Sequence, residues 1–233
     1  MTYIIFENVA KYYKTNRFES KALEKTSFEI DRGEFCVLVG TRGSGKSTII
    51  NALAGKEKIK IGSVQVGNQK INKLNYFELR KYRKNKVAIL NSIDNLVDEL
   101  SILDNLKLVK NNDDIGIDIY EAAKKYNFSD LLKMYPKDLT RFQCQKIALI
   151  RCLISGVELI LADEVIAALD YRNSVKLLKE IIDICNEYSV TFILATTDFA
   201  LKKIADRVII IKDGKVIRNE FNMNPVKIEE LDF

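Results

Sequence analysis

The sequence predicts an α/β fold: a mostly parallel sheet with helices on both faces, an antiparallel β part and an inserted helical subdomain. Three observations predict it. The runs Phe35–Val39, Val87–Leu90, Leu159–Ala162 and Thr191–Ala195 are apolar almost throughout, as strands buried on both faces are. Helix-patterned stretches alternate with them, the order that builds a parallel sheet through crossover connections. From about 92 to 156 the alternation stops and helical segments with polar connections take over, which places the insertion there.

Taken in order, Thr2–Val9 and Thr26–Ile30 alternate apolar and polar residues and read as two half-exposed antiparallel strands. Asp31-Arg-Gly-Glu34 turns the chain into the buried run Phe35–Val39. A glycine-rich loop, Gly40-Thr-Arg-Gly-Ser-Gly-Lys-Ser47, leads into the helix-patterned Thr48–Ala54, which Gly55 closes. Ile59, Ile61, Val64, Val66 and Ile71, punctuated by Gly62 and Gly67, read as small strands joined by turns. Residues 75–84 pattern as a helix. In the insertion, Ile102–Val109, Ile119–Tyr126 and Phe142–Ile154 read as helices, with Ile147, Leu149, Ile150 and Leu153 at helical spacing in the last. Beyond Leu159–Ala162 come a long helix from Arg172 to Glu187, the strand Thr191–Ala195, a helix to Ala205 and the strand Arg207–Ile211. Lys212-Asp-Gly-Lys215 is a hairpin signal, because Asp-Gly suits a type I′ turn.

Composition narrows the chemistry. Apolar residues make up 47% and charged residues 30%, which excludes a disordered or collagen-like chain. The net charge of +5 is spread along the chain, whereas a nucleic-acid platform would be more strongly and locally basic; no nucleic-acid partner is expected. Arg80, Lys81, Arg83, Lys84 and Lys86 form the densest positive run; it reads as a solvated helix face or as a face turned to anionic lipid headgroups. With no histidine and no CxxC among Cys36, Cys144, Cys152 and Cys185, zinc sites and His-based acid–base chemistry are not expected. Scattered thiols in apolar surroundings suit a reducing compartment. No secretory signal is visible. The most apolar stretch, Ile147–Ala162, is interrupted by Arg151 and Glu158 and falls short of the roughly 20 residues a spanning helix needs. A cytoplasmic location is expected.

Gly40-x-x-x-x-Gly45-Lys46-Ser47 fits the P-loop pattern and lies between a buried strand and a helix, the context that pattern requires. Its glycines let consecutive N–H groups turn inward around phosphate oxygens, and the helix N-terminus adds partial positive charge. Lys46 is placed to reach β- and γ-phosphates and Ser47 to offer a hydroxyl to Mg²⁺. Leu159-Ile-Leu-Ala-Asp163-Glu164 delivers two carboxylates at the C-terminal end of a strand, where sites in such sheets lie. Asp163 would act on Mg²⁺ through water and Glu164 would polarise an attacking water, so the pair points to nucleoside triphosphate binding and hydrolysis.

From Ile4 to about Glu220 these segments resemble the nucleotide-binding subunit of ATP-binding-cassette (ABC) transporters. Within that superfamily they are most similar to the branch serving macrolide-efflux, lipoprotein-release and antimicrobial-peptide-resistance permeases. The resemblance implies a P-loop NTPase with the ABC ATPase fold: one domain, 1–233, with a RecA-like core and its antiparallel part in 1–91 and 157–233 and a helical signature subdomain in 92–156. It further implies that Tyr13, or Tyr12 in its place, stacks on adenine, that Gly40, Thr41, Arg42, Gly43, Ser44, Gly45, Lys46, Ser47 and Thr48 hold the phosphates, and that Asp170 lies in the D-loop. Three positions depart from the family pattern. Asn91 stands where the family has its Mg²⁺-ligating Q-loop glutamine. The signature segment reads Leu139-Thr140-Arg141-Phe142-Gln143, so Arg141 and Phe142 bring bulk where glycines are usual, and Thr197 occupies the position of the switch histidine.

The implied function is an ATP-binding subunit, with ATP and Mg²⁺ as cofactors, that hydrolyses ATP slowly to drive a separate membrane permease of the export or antibiotic- and peptide-resistance type. Its implied partners are the permease subunits, met near Leu96, Asp98, Glu99 and Leu100, and a second ABC ATPase subunit in a homo- or heterodimer. The chain would then sit on the inner face of the cell membrane through the permease. The alternative is a hydrolysis-deficient subunit serving as an ATP-dependent dimerisation switch or as the degenerate partner of a second ATPase. Two grounds point to slow turnover: loss of the γ-phosphate donor at Thr197, since one preorganised donor is worth about 10²–10³ in rate, and the bulk of Arg141 and Phe142, which would obstruct closure so that restoring the histidine and the glycines together should do more than either alone.

Overall fold

A computed structural model describes residues 1–14, 19–93, 95–109 and 117–230. The chain opens with a long antiparallel pair, β1 (Thr2–Lys14) and β2 (Glu19–Asp31), both extending past the segments that alternation marks out. Register shifts explain the difference. They fall between Phe6 and Val9 and again between Val9 and Tyr12, with Asn8 and Lys25 at positive φ, and each shift reverses which side chains face inward.

β3 (Phe35–Val39) follows, buried at every position, and runs through the glycine loop into α1 (Lys46–Leu53). β4 (Ile61–Val66) pairs with the free side of β1 and β5 (Gln69–Lys70) with β4, completing an antiparallel sheet in the order β2-β1-β4-β5. α2 (Tyr76–Asn85), opened by an Asn75–Glu78 capping box, leads to β6 (Val87–Asn91). The middle of the chain supplies α3 (Ile102–Lys107), α4 (Ile119–Lys125) and α5 (Arg141–Ile154). Strand and helix then alternate through β7 (Leu159–Asp163), α6 (Tyr171–Tyr188), β8 (Thr191–Thr196), β9 (Arg207–Lys212) and β10 (Lys215–Phe221).

The second sheet runs β10-β9-β3-β8-β7-β6, parallel except for the β9–β10 hairpin, so the expected α/β architecture is present. Its two faces feed two cores. Phe35, Val37 and Val39 pack with Ile147, Ile150, Leu177 and Ile181 of α5 and α6, whereas Cys36 and Leu38 pack with Ile49 and Leu53 of α1 and with Phe6 and Val64 of the antiparallel sheet. A strand with both faces covered has no place for a polar side chain, which accounts for the unbroken apolar run. Cys36, Cys152 and Cys185 are buried and unpaired, and burial pushes the Cys152 thiol up to about 11. No described helix is long and apolar enough to cross a membrane.

One expected element differs. In place of a helix reaching Ala205 there is a single 3₁₀ turn, Phe199–Lys203, opened by Asp198 Oδ1 accepting from the Ala200 N–H. Asp206, whose Oδ2 accepts the Phe35 N–H at 2.8 Å, pins the chain just before β9, three residues past the end of that turn.

The β9–β10 turn reaches the glycine loop. Asp213 and Gly214 both have positive φ, as a type I′ turn demands. The Gly214 N–H donates to the Ser44 carbonyl at 2.9 Å, while its own carbonyl accepts from the Glu24 N–H at 2.9 Å and the Thr26 hydroxyl at 2.5 Å. A Cβ at Gly214 would lie 2.8 Å from the Ala22 carbonyl oxygen. Gly214→Ala should therefore lower stability by about 1–3 kcal/mol, the range for forcing a side chain into such a backbone conformation. Urea unfolding checks this, and an unchanged midpoint at unchanged slope would contradict it.

Candidate functional site

The parallel sheet brings its strand ends into one row. Asn91 ends β6 opposite Asp163, which ends β7; Asp163 pairs with Ala195 of β8, and Thr196 pairs with Val39, after which the glycine loop begins. Residues far apart in sequence are thereby gathered at the C-terminal edge of the sheet, as the sequence predicts for Asp163 and the loop.

Gly43 has φ +79° and space for no clash, while Gly45 has φ +109° and serves as the N-cap of α1 without any side-chain cap. The N-terminal N–H groups of α1 thus lack a protein side chain, an arrangement suited to an anion. Lys46 is only 5% exposed. Its ammonium donates to the carbonyls of Gly40 at 2.8 Å and Thr41 at 3.1 Å, and Glu164 Oε1 stands 3.6 Å away. Ser47 is exposed beside it, Thr48 is buried, and Arg42 points to solvent. Ser44 Oγ and Asp163 Oδ1 are buried without a hydrogen-bond partner. Such groups are rare in folded proteins, and a phosphate with its metal ion is the kind of group that would satisfy them. The Ser47 hydroxyl and the Asp163 carboxylate are hard oxygen donors of the kind that suit Mg²⁺, which is held by few protein ligands and keeps several waters.

Glu164 is held by its backbone. Its φ is +53°, unusual for a residue with a side chain, and its N–H donates to the Ala195 carbonyl at 2.9 Å. Tyr13 is 40% exposed, its hydroxyl donates to Glu57 Oε2 at 2.9 Å beyond α1, and the Thr48 side chain also faces that hydroxyl. Lys11 lies over the ring. Tyr13 is therefore brought to the P-loop helix. Thr197 is exposed immediately after β8. Asp170 caps α6 through the Asn173 N–H, which holds its carboxyl below the usual range.

Leu139–Gln143 form the entry to α5. Thr140 is the N-cap, its hydroxyl accepting from the Gln143 N–H while Gln143 Oε1 accepts from the Thr140 N–H. The bulk expected of Arg141 and Phe142 lies aside from the helix tip. Arg141 donates back to the Ser92 carbonyl at 3.3 Å, and Phe142 is half-buried against the core with Lys176 over its ring.

Sequence reasoning missed what holds Asn91 in place. Gln145, buried on α5, donates to the carbonyls of Asn91 at 3.0 Å and Ser92 at 2.6 Å and accepts from Asn95 Nδ2 at 2.9 Å. Asn95 in turn accepts the Asn91 N–H at 2.8 Å. The available signal was a glutamine two residues before Ile147, on the inward side of an apolar helix.

A family model described as ABC transporter matches residues 23–167. The chain belongs to the ABC transporter family. It is an ABC transporter ATP-binding domain, and its curated relatives include a putative ABC transporter ATP-binding protein of Mycoplasma genitalium, 32% identical over 87% of this chain and 66% of that protein. Another is the lipoprotein-releasing system ATP-binding protein LolD of Buchnera aphidicola, 28% identical over 91% of this chain and 96% of that protein. The first relatives matched are longer; the chain spans about half to two thirds of their length. Among solved structures, the ATP-binding cassette MJ0796, whose sequence is that of a Methanocaldococcus jannaschii protein, matches in a dimeric post-hydrolysis state bound to ADP and Pi. The TM-score is 0.83 at 29% identity, covering 94% of this chain and 98% of that one.

The latch around Asn91 generates a test specific to this ABC domain. Gln145→Met keeps the volume but removes its two bonds to the Asn91 and Ser92 carbonyls, which keep only Asn95 and Arg141 as donors, and the acceptor for Asn95 Nδ2, and should reduce stability by about 1–3 kcal/mol. Hydrogen exchange at the Asn91 amide should accelerate more than at amides of β3, and uniform exchange across both strands would rule the latch out.

Proposed function

We propose that this chain is the ATP-binding subunit of an ABC transporter, taking up ATP with Mg²⁺ and hydrolysing it slowly to energise a separate membrane permease of the export or resistance type. The observation that supports this reading is the row of strand ends in which the uncapped α1, buried Lys46, unpartnered Asp163 Oδ1 and backbone-held Glu164 meet. In it the Gly40–Thr48 backbone and Lys46 receive the phosphates, and Tyr13 offers its ring to the base. Ser47, Asp163 and Asn91 would hold Mg²⁺, which supplies charge neutralisation at the phosphates when bound. Lys46 exchanges its carbonyl partners for phosphate oxygens, and that frees Glu164 to accept a proton from water. Asn91 is shorter than the usual glutamine by one methylene, and the Gln145 latch fixes where its strand end lies.

The same reading takes residues 92–156 as the helical subdomain, inserted between the core segments 1–91 and 157–233, and places the chain in the cytoplasm, peripheral on the inner face of the membrane. The LolD relative supports the lipoprotein-release part of that branch. Leu139–Gln143 is then a degenerate signature, Asp170 part of the D-loop and Thr197 the replaced switch residue, with a second ATPase subunit completing the site. A cavity of about 320 Å³ lined by Leu96, Asp98, Pro136 and Leu139 is the surface offered to the permease, with Glu99 and Leu100 following in the adjoining turn.

Lys46→Ala should weaken ATP binding more than tenfold, about 1.4 kcal/mol, with equal titration curves counting against the phosphate role. Thr197→His should raise steady-state turnover, because it restores a donor aimed at the γ-phosphate. Adding Glu164→Gln should remove the gain. Restoring glycine at both 141 and 142 should add less than Thr197→His does, since those side chains already lie aside; turnover that depends on the glycines and ignores His would refute this order.

A further inference from the structure

α2 presents two unlike sides. Tyr82 is buried and donates to the Leu53 carbonyl at 2.7 Å, Leu79 is half-buried, and Arg83 donates to the Gly55 carbonyl at 2.9 Å. The opposite side carries Tyr76, Arg80 and Lys84 at successive i, i+4 positions, flanked by Phe77 and Lys81 at the same spacing. Tyr76 and Phe77 are 70% and 77% exposed and meet edge to face with ring centroids 5.7 Å apart. Arg80, Lys81 and Lys84 are exposed and form no ion pair among the described residues. The helix's one acid, Glu78, is engaged in the capping box through the Asn75 N–H at 2.7 Å. Lys84 also borders a cavity of about 440 Å³ whose lining includes Lys56, Arg83 and Arg151 over an apolar floor of Val87 and Ile89, and no acid among the described residues. Arg151 is half-buried there and donates to the Asn95 carbonyl. Cations gathered without counter-charge are unfavourable alone and are stabilised by an outside anion.

We propose that this outward face of α2 docks the chain on an anionic phospholipid surface, independently of any permease. The rings enter the headgroup layer, where amphipathic aromatics are favoured, and Arg80, Lys81, Lys84 and the cavity cations meet lipid phosphates. Two exposed rings beside unpaired cations match the chemistry of a lipid interface, which supplies both apolar depth and dense negative charge. A soluble acidic partner would leave the rings exposed. The inference goes beyond the transporter reading and stands whether or not ATP is hydrolysed.

The test is flotation of the full chain with vesicles of phosphatidylcholine alone and of phosphatidylcholine mixed with phosphatidylglycerol. Binding should appear with the mixed vesicles and weaken with added salt. Combining Arg80→Glu, Lys81→Glu and Lys84→Glu should lower the partition coefficient at least about a hundredfold, because each cation near such a surface contributes roughly a factor of five. Tyr76→Ser with Phe77→Ser should also lower it. The charge-matched set Lys60→Glu, Lys133→Glu and Lys202→Glu should change it much less, with unfolding midpoints compared for all variants. Should the glutamates unfold the chain, the same three positions as glutamine replace them. No binding to mixed vesicles, equal binding to neutral ones, or equal loss in the charge-matched set overturns the proposal.

Discussion

A buried ammonium group sets the terms for the rest of this fold. Lys46 is almost sealed from water, and two loop carbonyls and one carboxylate offset its charge. Left-handed glycines at 43 and 45 turn the loop back over those carbonyls so that Lys46 meets them, and Gly214 of the last hairpin ties the loop at Ser44 to the antiparallel sheet. The carboxylate arrives from β7, two strands away, on a residue whose own backbone is left-handed. A strained conformation at such a position persists when its surroundings over-determine it, and here the Ala195 carbonyl does so. One charge at the end of β3 therefore links both sheets.

The parts legible in the sequence were those governed by local rules. A strand covered on both faces must be apolar throughout, so Phe35–Val39 and Leu159–Ala162 were readable, and Asp213-Gly214 announced its turn. The glycine loop carried its own spacing. What stayed hidden depends on partners far away in sequence. The full length of β1 and β2 is interrupted by register shifts, so alternation fails midway. Gln145 meets the Asn91 segment across more than fifty positions, and nothing local distinguishes it from a solvated glutamine. The 3₁₀ turn at Phe199–Lys203 is set by the fixed position of Asp206 against Phe35, a tertiary constraint overriding helical pattern.

The departures at the entry to α5 weigh differently once their side chains are placed. At the N-terminus of α1 no side chain competes for the first N–H groups, whereas at α5 the Thr140–Gln143 box satisfies one donor and leaves those of Arg141 and Phe142 without a side-chain cap. Because Arg141 bends back to Ser92 and Phe142 turns toward the core, the tip keeps open N–H groups and gains a guanidinium nearby. In the proposed dimer this end would still favour an anion, through helix dipole and added charge together. Bulk at 141 and 142 is then the lesser obstacle. Thr197 has no comparable compensation: its side chain is short and exposed at the end of β8, and with no histidine in the chain no other residue supplies an imidazole donor there. In the proposed hydrolysis, slow turnover then originates at the end of β8, in the subunit that holds the phosphates, and not in the facing helix of its partner.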